Sequence, residues 1–166
     1  MTPRGTLRPR LAAALLALIA PLAATAATLE AGAPLPPLAL EDQHGKAVIV
    51  GASTRLVIFA ADKAASDLIN EVLAAQPDGV LTRLGAVYLA DISGMPALVT
   101  RMFALPALRA MPFAVGLGRD AAQLADLPRR KGAATLLRID AGRIAGVDYA
   151  TSPERLRQAL GLGSPP

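Results

Sequence analysis

The chain has 166 residues, with 17 lysines and arginines, 13 aspartates and glutamates, one histidine and no cysteine or tryptophan. Without cysteine there can be no disulfide bond, thiol nucleophile or thiolate metal ligand, and one histidine cannot build a zinc site of several imidazoles. Three phenylalanines and two tyrosines are too few for a nucleic-acid stacking platform or a carbohydrate site built on aromatic rings.

Residues 1–26 have the pattern of a secretory signal peptide. Three arginines lie within the first ten residues, and an apolar run follows at 11–22. That run is shorter than the roughly 20 residues that a membrane-spanning helix needs. Small residues at 24–26 favour cleavage before Ala27, and an uncleaved N-terminal anchor is the alternative. We therefore expect a periplasmic or secreted protein with no membrane span after cleavage.

Removal of the signal peptide changes the charge balance. It carries three of the basic residues and no acid, so the mature chain has 14 basic and 13 acidic residues, a net charge of +1 instead of +4. A nucleic-acid partner requires a much stronger basic footprint and is not expected. The only tight basic cluster, 129–131, is typical of a solvated loop. The remaining length of about 140 residues is that of one domain.

The mature chain begins with a proline-rich segment at 27–37. Proline removes a backbone donor, so this segment is expected to be extended and to lie at most at a sheet edge. Apolar runs at 38–40 and 48–50 then flank a turn that contains Gly45. This arrangement predicts a β-hairpin.

The stretch that follows predicts a strand, a sharp turn and a helix. Residues 56–60 are a continuous apolar run, typical of a central strand that is covered on both faces. Asp62 or Ser66 can cap the next helix. Its apolar residues between 68 and 73 share one face, and the Pro-Asp-Gly sequence at 77–79 ends it.

Residues 80–90 are predicted to form the next strand, and a helix is expected to begin near Pro96. Pro106 should end or kink that helix. Its helical spacing of apolar side chains favours burial in the core over a ligand-binding groove; these side chains are Leu98, Val99, Met102, Phe103 and Leu105. A third strand is predicted at 113–117.

The C-terminal part predicts a short helix at 120–126 and an antiparallel hairpin formed by 135–139 and 143–147. A capping-box pattern at 151–154 starts the last helix, and residues 163–166 are expected to be a disordered tail. Parallel βαβ units followed by an antiparallel hairpin predict an α/β protein, with a mixed central sheet and helices on both faces.

This order resembles the thioredoxin-like fold, specifically its peroxiredoxin and exported thiol–disulfide branch. Residues 32–45 are similar to the branch's opening G-x-x-h-P…D-x-x-G hairpin, where h is apolar, and residues 56–73 to its first βα unit. Residues 132–144 are similar to its G-h-P-T-h-h-h-h-D-x-x-G-x-h hairpin. The resemblance implies a thioredoxin-like domain at 38–162, built as a three-layer sandwich with an N-terminal β-hairpin.

The resemblance also implies a redox site that this chain lacks. Ala64 to Asp67 occupy the place of the branch's Cys-x-x-Cys, and Ala134 stands in the place of its cis-proline. Alanine cannot form a mixed disulfide, so neither thiol exchange nor thiol-peroxidase activity is expected. The candidate vestigial-site positions are Asp62, Lys63, Ala64, Ala65, Ser66, Asp67, Ala133, Ala134 and Thr135.

Two functions follow from these observations. The first is an exported, redox-inactive thioredoxin-like domain that binds a protein partner or belongs to an envelope assembly. The alternative is an enzyme with acid–base chemistry that does not use thiols, based on Asp62, Lys63, Asp67 or Asp91. Carboxylates at a helix N-terminus are stabilised as anions, which makes them poor general acids near neutral pH. No catalytic, cofactor-binding or metal-binding residue is predicted, and the sequence carries no signal for an oligomeric state.

Overall fold

The structure is a computed structural model that describes residues 28–163. The predicted signal peptide, its cleavage site and the last three residues lie outside this range. Within it, none of the helices combines the length and the apolar character needed to cross a membrane. Seven strands are present: β1 (Leu38–Glu41), β2 (Ala47–Val50), β3 (Leu56–Ala60), β4 (Ala86–Asp91), β5 (Gly116–Gly118), β6 (Ala134–Asp140) and β7 (Arg143–Ala150).

The helical segments alternate with the strands in the middle of the chain. They are α1 (Lys63–Ala74), α2 (Val80–Leu84), α3 (Ala97–Val99), a π-helical turn (Thr100–Ala104), α4 (Leu105–Arg109), a 3₁₀ helix (Ala121–Leu124) and α5 (Pro153–Ala159).

All seven strands form one sheet in the order β2-β1-β5-β4-β3-β6-β7. β3, β4 and β5 run parallel to one another. The outer pairs β1–β2 and β6–β7 are antiparallel hairpins, and β6 runs antiparallel to β3. The mixed sheet and the N-terminal hairpin predicted from the sequence are confirmed.

The two faces of the sheet are covered unequally. Successive side chains of a strand point to opposite faces, so Ile58 packs under α1, α2, α4 and α5, whereas Phe59 lies on the other side. That second face is covered by Leu124 of the 3₁₀ helix and by Leu29 and Leu35 of the N-terminal segment. The predicted three-layer arrangement is present, with a thin outer layer on the Phe59 side.

The N-terminal segment runs along the start of β7. The backbone N–H of Gly32 donates to the carbonyl of Ile144 at 2.7 Å, and that of Leu35 donates to the carbonyl of Gly142 at 3.0 Å. Pro34 forms an isolated bridge with Arg143. Because proline has no N–H, the pairing remains irregular and does not extend the sheet by a full strand.

Residues 80–84 correct the sequence-based prediction of a strand over 80–90. Two glycines with positive φ bracket them, Gly79 at 78° and Gly85 at 60°. Gly79 precedes a single helical turn, α2, and Gly85 ends it in the left-handed conformation typical of helix C-termini. The guanidinium of Arg83 donates to the carbonyl of Asp78 at 2.9 Å and holds the turn. The strand therefore begins at Ala86.

The helical segment at 97–109 continues past Pro106, which was expected to end or kink it. A π-helical turn precedes the proline, and the backbone N–H of Leu105 reaches the carbonyl of Thr100. The expected burial of its apolar side chains was wrong. Leu98 is 69% exposed, Val99 42%, Met102 59% and Phe103 67%. Leu108 supplies a buried contact, and Leu105 is partly buried against the core.

The remaining elements are close to their predictions. β5 is shorter than expected and begins at Gly116, because a buried glutamine side chain binds the backbone groups that precede it and keeps them from pairing in the sheet. Gln43 accepts from Val115 N–H at 2.9 Å and donates to the Phe113 carbonyl at 2.7 Å. The helix expected at 120–126 is the 3₁₀ helix, with a capping box between Asp120 and Gln123.

Candidate functional site

The candidate site lies beyond the carboxyl ends of β3 and β4, and Asp62 is its central polar residue. Asp62 follows β3 and caps α1, where its Oδ1 accepts from the backbone N–H of Ala65 at 2.9 Å. Its Oδ2 accepts from the backbone N–H of Gly132 at 2.7 Å. One carboxylate thus joins the start of α1 to the turn that enters β6.

The same two bonds set the protonation state of Asp62. The hydrogen bond from the Gly132 backbone lowers the pKa of the Asp62 carboxyl, the bond from Ala65 adds to this effect, and partial burial opposes it. A carboxylate stabilised in this way is ionised near neutral pH. It is therefore a helix cap and a tether, and it has no proton to donate as a general acid.

The other predicted site residues on α1 carry little reactive chemistry. Lys63 and Asp67 form an exposed ion pair one helical turn apart. Ala64 is exposed and Ala65 is buried. Ser66 is not the helix cap, since its Oγ lies 3.0 Å from the buried hydroxyl of Tyr88. Burial raises the pKa of Tyr88 to about 12.

The turn that enters β6 is closed and apolar. Ala133, Ala134 and Thr135 have no exposed surface, and none of the described residues is joined by a cis peptide bond. Thr135 Oγ1 is buried without a hydrogen-bond partner among the described residues. Residues 133–135 therefore present no reactive side chain, and the backbone N–H of Gly132 faces Asp62.

Asp91 and Arg129 form a second polar connection at this end of the sheet. Asp91 Oδ1 accepts from the N–H of Ser93 at 3.0 Å and from its hydroxyl at 2.6 Å. Asp91 Oδ2 lies 3.1 Å from Arg129 Nη1. Arg129 also donates to the Leu124 carbonyl at 2.6 Å and lies over the ring of Phe59 at 5.5 Å. The sequence placed Arg129 on a solvated loop, and nothing in its neighbouring residues signals a partner 38 positions away.

A polar cleft of about 400 Å³ lies between Asp62 and Asp91. Lys63 and Arg129 line it together with the two aspartates, so two positive groups balance two negative ones. Within residues 28–163, no three acidic or histidine side chains converge to hold a metal ion. The acid–base alternative gains no support here, because both aspartates are already engaged in hydrogen bonds.

An apolar groove of about 350 Å³ runs along the opposite side of α1 from Gly132. Ser66, Asp67 and Asn70 of α1 form one wall. Val99, Phe103 and Ala107 belong to the other wall, and the floor is formed by Ala90 of β4 and by Ile92, which follows that strand. The sequence pattern missed this groove because helical spacing of apolar residues does not tell a buried face from an exposed one.

Comparison with protein-family models and with curated proteins found no match. Solved structures do match. The thioredoxin domain of a thiol–disulfide oxidoreductase from Bacteroides vulgatus has a TM-score of 0.53 and 12% sequence identity, over 81% of this chain and 97% of that one. The peroxidoxin BcpB from Mycobacterium tuberculosis has a TM-score of 0.51 and 14% identity, over 80% and 95%.

A peroxiredoxin-like protein from Aquifex aeolicus has a TM-score of 0.50 and 13% identity, over 81% of this chain and 87% of that one. At such identities the likeness concerns the fold and not the activity. The sheet order, the position of α1 and these neighbours agree with one another. The chain therefore has the thioredoxin-like fold, and it contains no cysteine.

Proposed function

We propose that the chain is an exported, redox-inactive thioredoxin-like domain that binds a protein partner in the cell envelope and has no enzymatic activity of its own. The observation that carries this proposal is the composition of the α1 N-terminus. Alanines and an ion-paired aspartate occupy the positions that the resemblance assigns to the Cys-x-x-Cys, and Asp62 tethers the surrounding backbone. Export rests on the signal-peptide pattern of residues 1–26.

The acid–base alternative is the weaker proposal. A general acid near pH 7 needs a raised carboxyl pKa, and the pKa of Asp62 is lowered by the Gly132 backbone. In the cleft, Asp62 is bonded to two backbone N–H groups, and Asp91 is bonded to Ser93 and Arg129. A binding role requires neither a raised carboxyl pKa nor a nucleophile, and it is consistent with an exposed surface around a rigid site.

The proposal is tested with residues 27–166, recovered by affinity purification after crosslinking in an envelope fraction. A photo-crosslinking residue at Ala64 should capture one protein reproducibly, and the same residue at Ile49, an exposed position on β2, should not. Insulin reduction by dithiothreitol should proceed at the same rate with and without the protein. Equal capture from both positions, or an accelerated reduction, would contradict the proposal.

A further inference from the structure

The groove beside α1 belongs to an unusually open part of the molecule. α1 packs against α5 on one side, and on its other side the groove separates it from the 97–109 segment. Leu98, Val99, Met102 and Phe103 are all exposed there. Apart from Ile49 on β2, they are the only large apolar side chains exposed among residues 28–163. Exposed apolar side chains gathered at one place mark an interaction surface.

The shape and the charge of this surface narrow the choice of partner. The groove is concave, and Ala90 and Ile92 form a buried apolar floor, which fits an inserted side chain. The 97–109 segment contains two arginines and no acidic residue. Of these, Arg109 Nε donates to the Gln43 carbonyl at 3.0 Å. Arg101 is exposed and takes part in none of the four ion pairs among the described residues. On the α1 wall, Lys63 and Asp67 neutralise each other.

We propose that the groove between α1 and the 97–109 segment is a docking site for a protein segment that inserts an apolar side chain and carries acidic residues beside it. A lipid surface fits these observations less well. The mature chain has a net charge of only +1, and a flat bilayer would not fill a concave groove. The docking site lies on the flank of α1 opposite the Gly132 turn, because its floor belongs to β4 whereas Asp62 reaches toward β6.

This inference rests on the proposed function, in that it names the surface and the chemistry of the partner. The probe is a phage-displayed library of random linear peptides, selected on immobilised residues 27–166. We expect the enriched peptides to share an apolar anchor flanked by aspartate or glutamate, and to bind more weakly as salt is raised, since charge pairing at the surface is screened. An enriched set without acidic residues would overturn the proposal.

Two matched pairs of variants locate the binding. Phe103→Ala should weaken binding of the selected peptides by about tenfold or more, as removal of an aromatic anchor does. Ile49→Ala should leave their binding unchanged, although Ile49 is nearly as exposed as Phe103, at 66% against 67%. Ala107→Trp should block the groove, whereas Ala122→Trp, at an exposed position of the 3₁₀ helix outside the groove, should not. Circular dichroism melting of each variant checks that it is folded.

The remaining outcomes separate this inference from the function on which it rests. If Ala64→Trp weakens peptide binding and Ala107→Trp does not, the groove is not the docking site, and the proposed binding function is unaffected. Failure to enrich any peptide would refute the groove as a docking site. The crosslinking capture at Ala64 would then test the proposed binding function independently. Sedimentation with phosphatidylglycerol vesicles, or self-association in light scattering, that is lost in Phe103→Ala would assign the surface to lipid or to a second copy and refute the proposal.

Discussion

Asp62 joins two segments that lie 70 residues apart in the chain. Asp62→Asn keeps the size of the side chain but leaves only one oxygen to accept the two backbone N–H groups, and removes the charge. We expect the free energy of unfolding to fall by about 1–2 kcal/mol at pH 7, the usual effect of losing a helix cap or a charged hydrogen bond. Urea unfolding of the mature protein measures it. Asp67→Asn is the matched control, because its ion pair is exposed and should contribute less than about 1 kcal/mol.

The pH dependence of stability provides a second test at Asp62. Its folded pKa lies below the ordinary value of 3.8, so the ionised group stabilises the folded protein above that value. This contribution is lost as the pH falls from about 4 through the lower folded pKa. We expect the difference in unfolding free energy between wild type and Asp62→Asn to shrink over that range. A difference that stays constant down to the lowest pH would show that the charge of Asp62 plays no part.

Tyr88 is a fully buried tyrosine of the core. Burial raises its pKa to about 12, so the folded protein resists its ionisation while the unfolded chain ionises near 10. Stability should therefore decline as the pH rises above about 10. Absorbance at 295 nm should show a tyrosine that titrates near 12, and Tyr88→Phe should remove that step. Persistence of the step in the variant would show that it does not belong to Tyr88.

At the scale of elements, the start of α1 offers the geometry for an engineered disulfide. Ala64 and Asp67 lie one helical turn apart near the N-terminus of the helix. Ala64→Cys combined with Asp67→Cys should place two Cα atoms within about 7 Å, close enough to bridge. Mild oxidation should consume both thiols, as counted with Ellman's reagent. The control pair, Ala64→Cys with Glu71→Cys, spans about two turns and should remain reduced.

The sequence predicted most elements because their signals are local. The apolar run at 56–60, the cap at Asp62 and the turn at 140–142 each depend on a few adjacent residues. α2 was missed because its helical state depends on positive φ at Gly79 and Gly85, which apolar pattern alone does not reveal. The exposure of 97–109 and the contact of Arg129 with Asp91 were missed because both depend on residues distant in sequence.

At the scale of the molecule, the thin layer over Phe59 depends on the N-terminal segment that precedes β1. Leu29 and Leu35 pack against the second core cluster. A chain that begins at Leu38 should lose about 2 kcal/mol of stability, since each partly buried leucine contributes about 1 kcal/mol or more. Thermal melting compares it with the chain that begins at Ala27. Glu30→Ala, an exposed change in the same segment, should melt like wild type; equal melting of all three would mean that the segment does not support the core.

The π-helical turn at 100–104 affects how the exposed apolar surface of the 97–109 segment can change through insertion or deletion of residues. A bond from the Leu105 N–H to the Thr100 carbonyl encloses one residue more than an α-helical turn. Deletion of a single residue there would restore a regular helix and rotate everything before it by about 100°. Leu98 and Val99 would then point in a new direction with no substitution among them. A one-residue insertion or deletion can therefore redirect this surface more sharply than any replacement of its side chains.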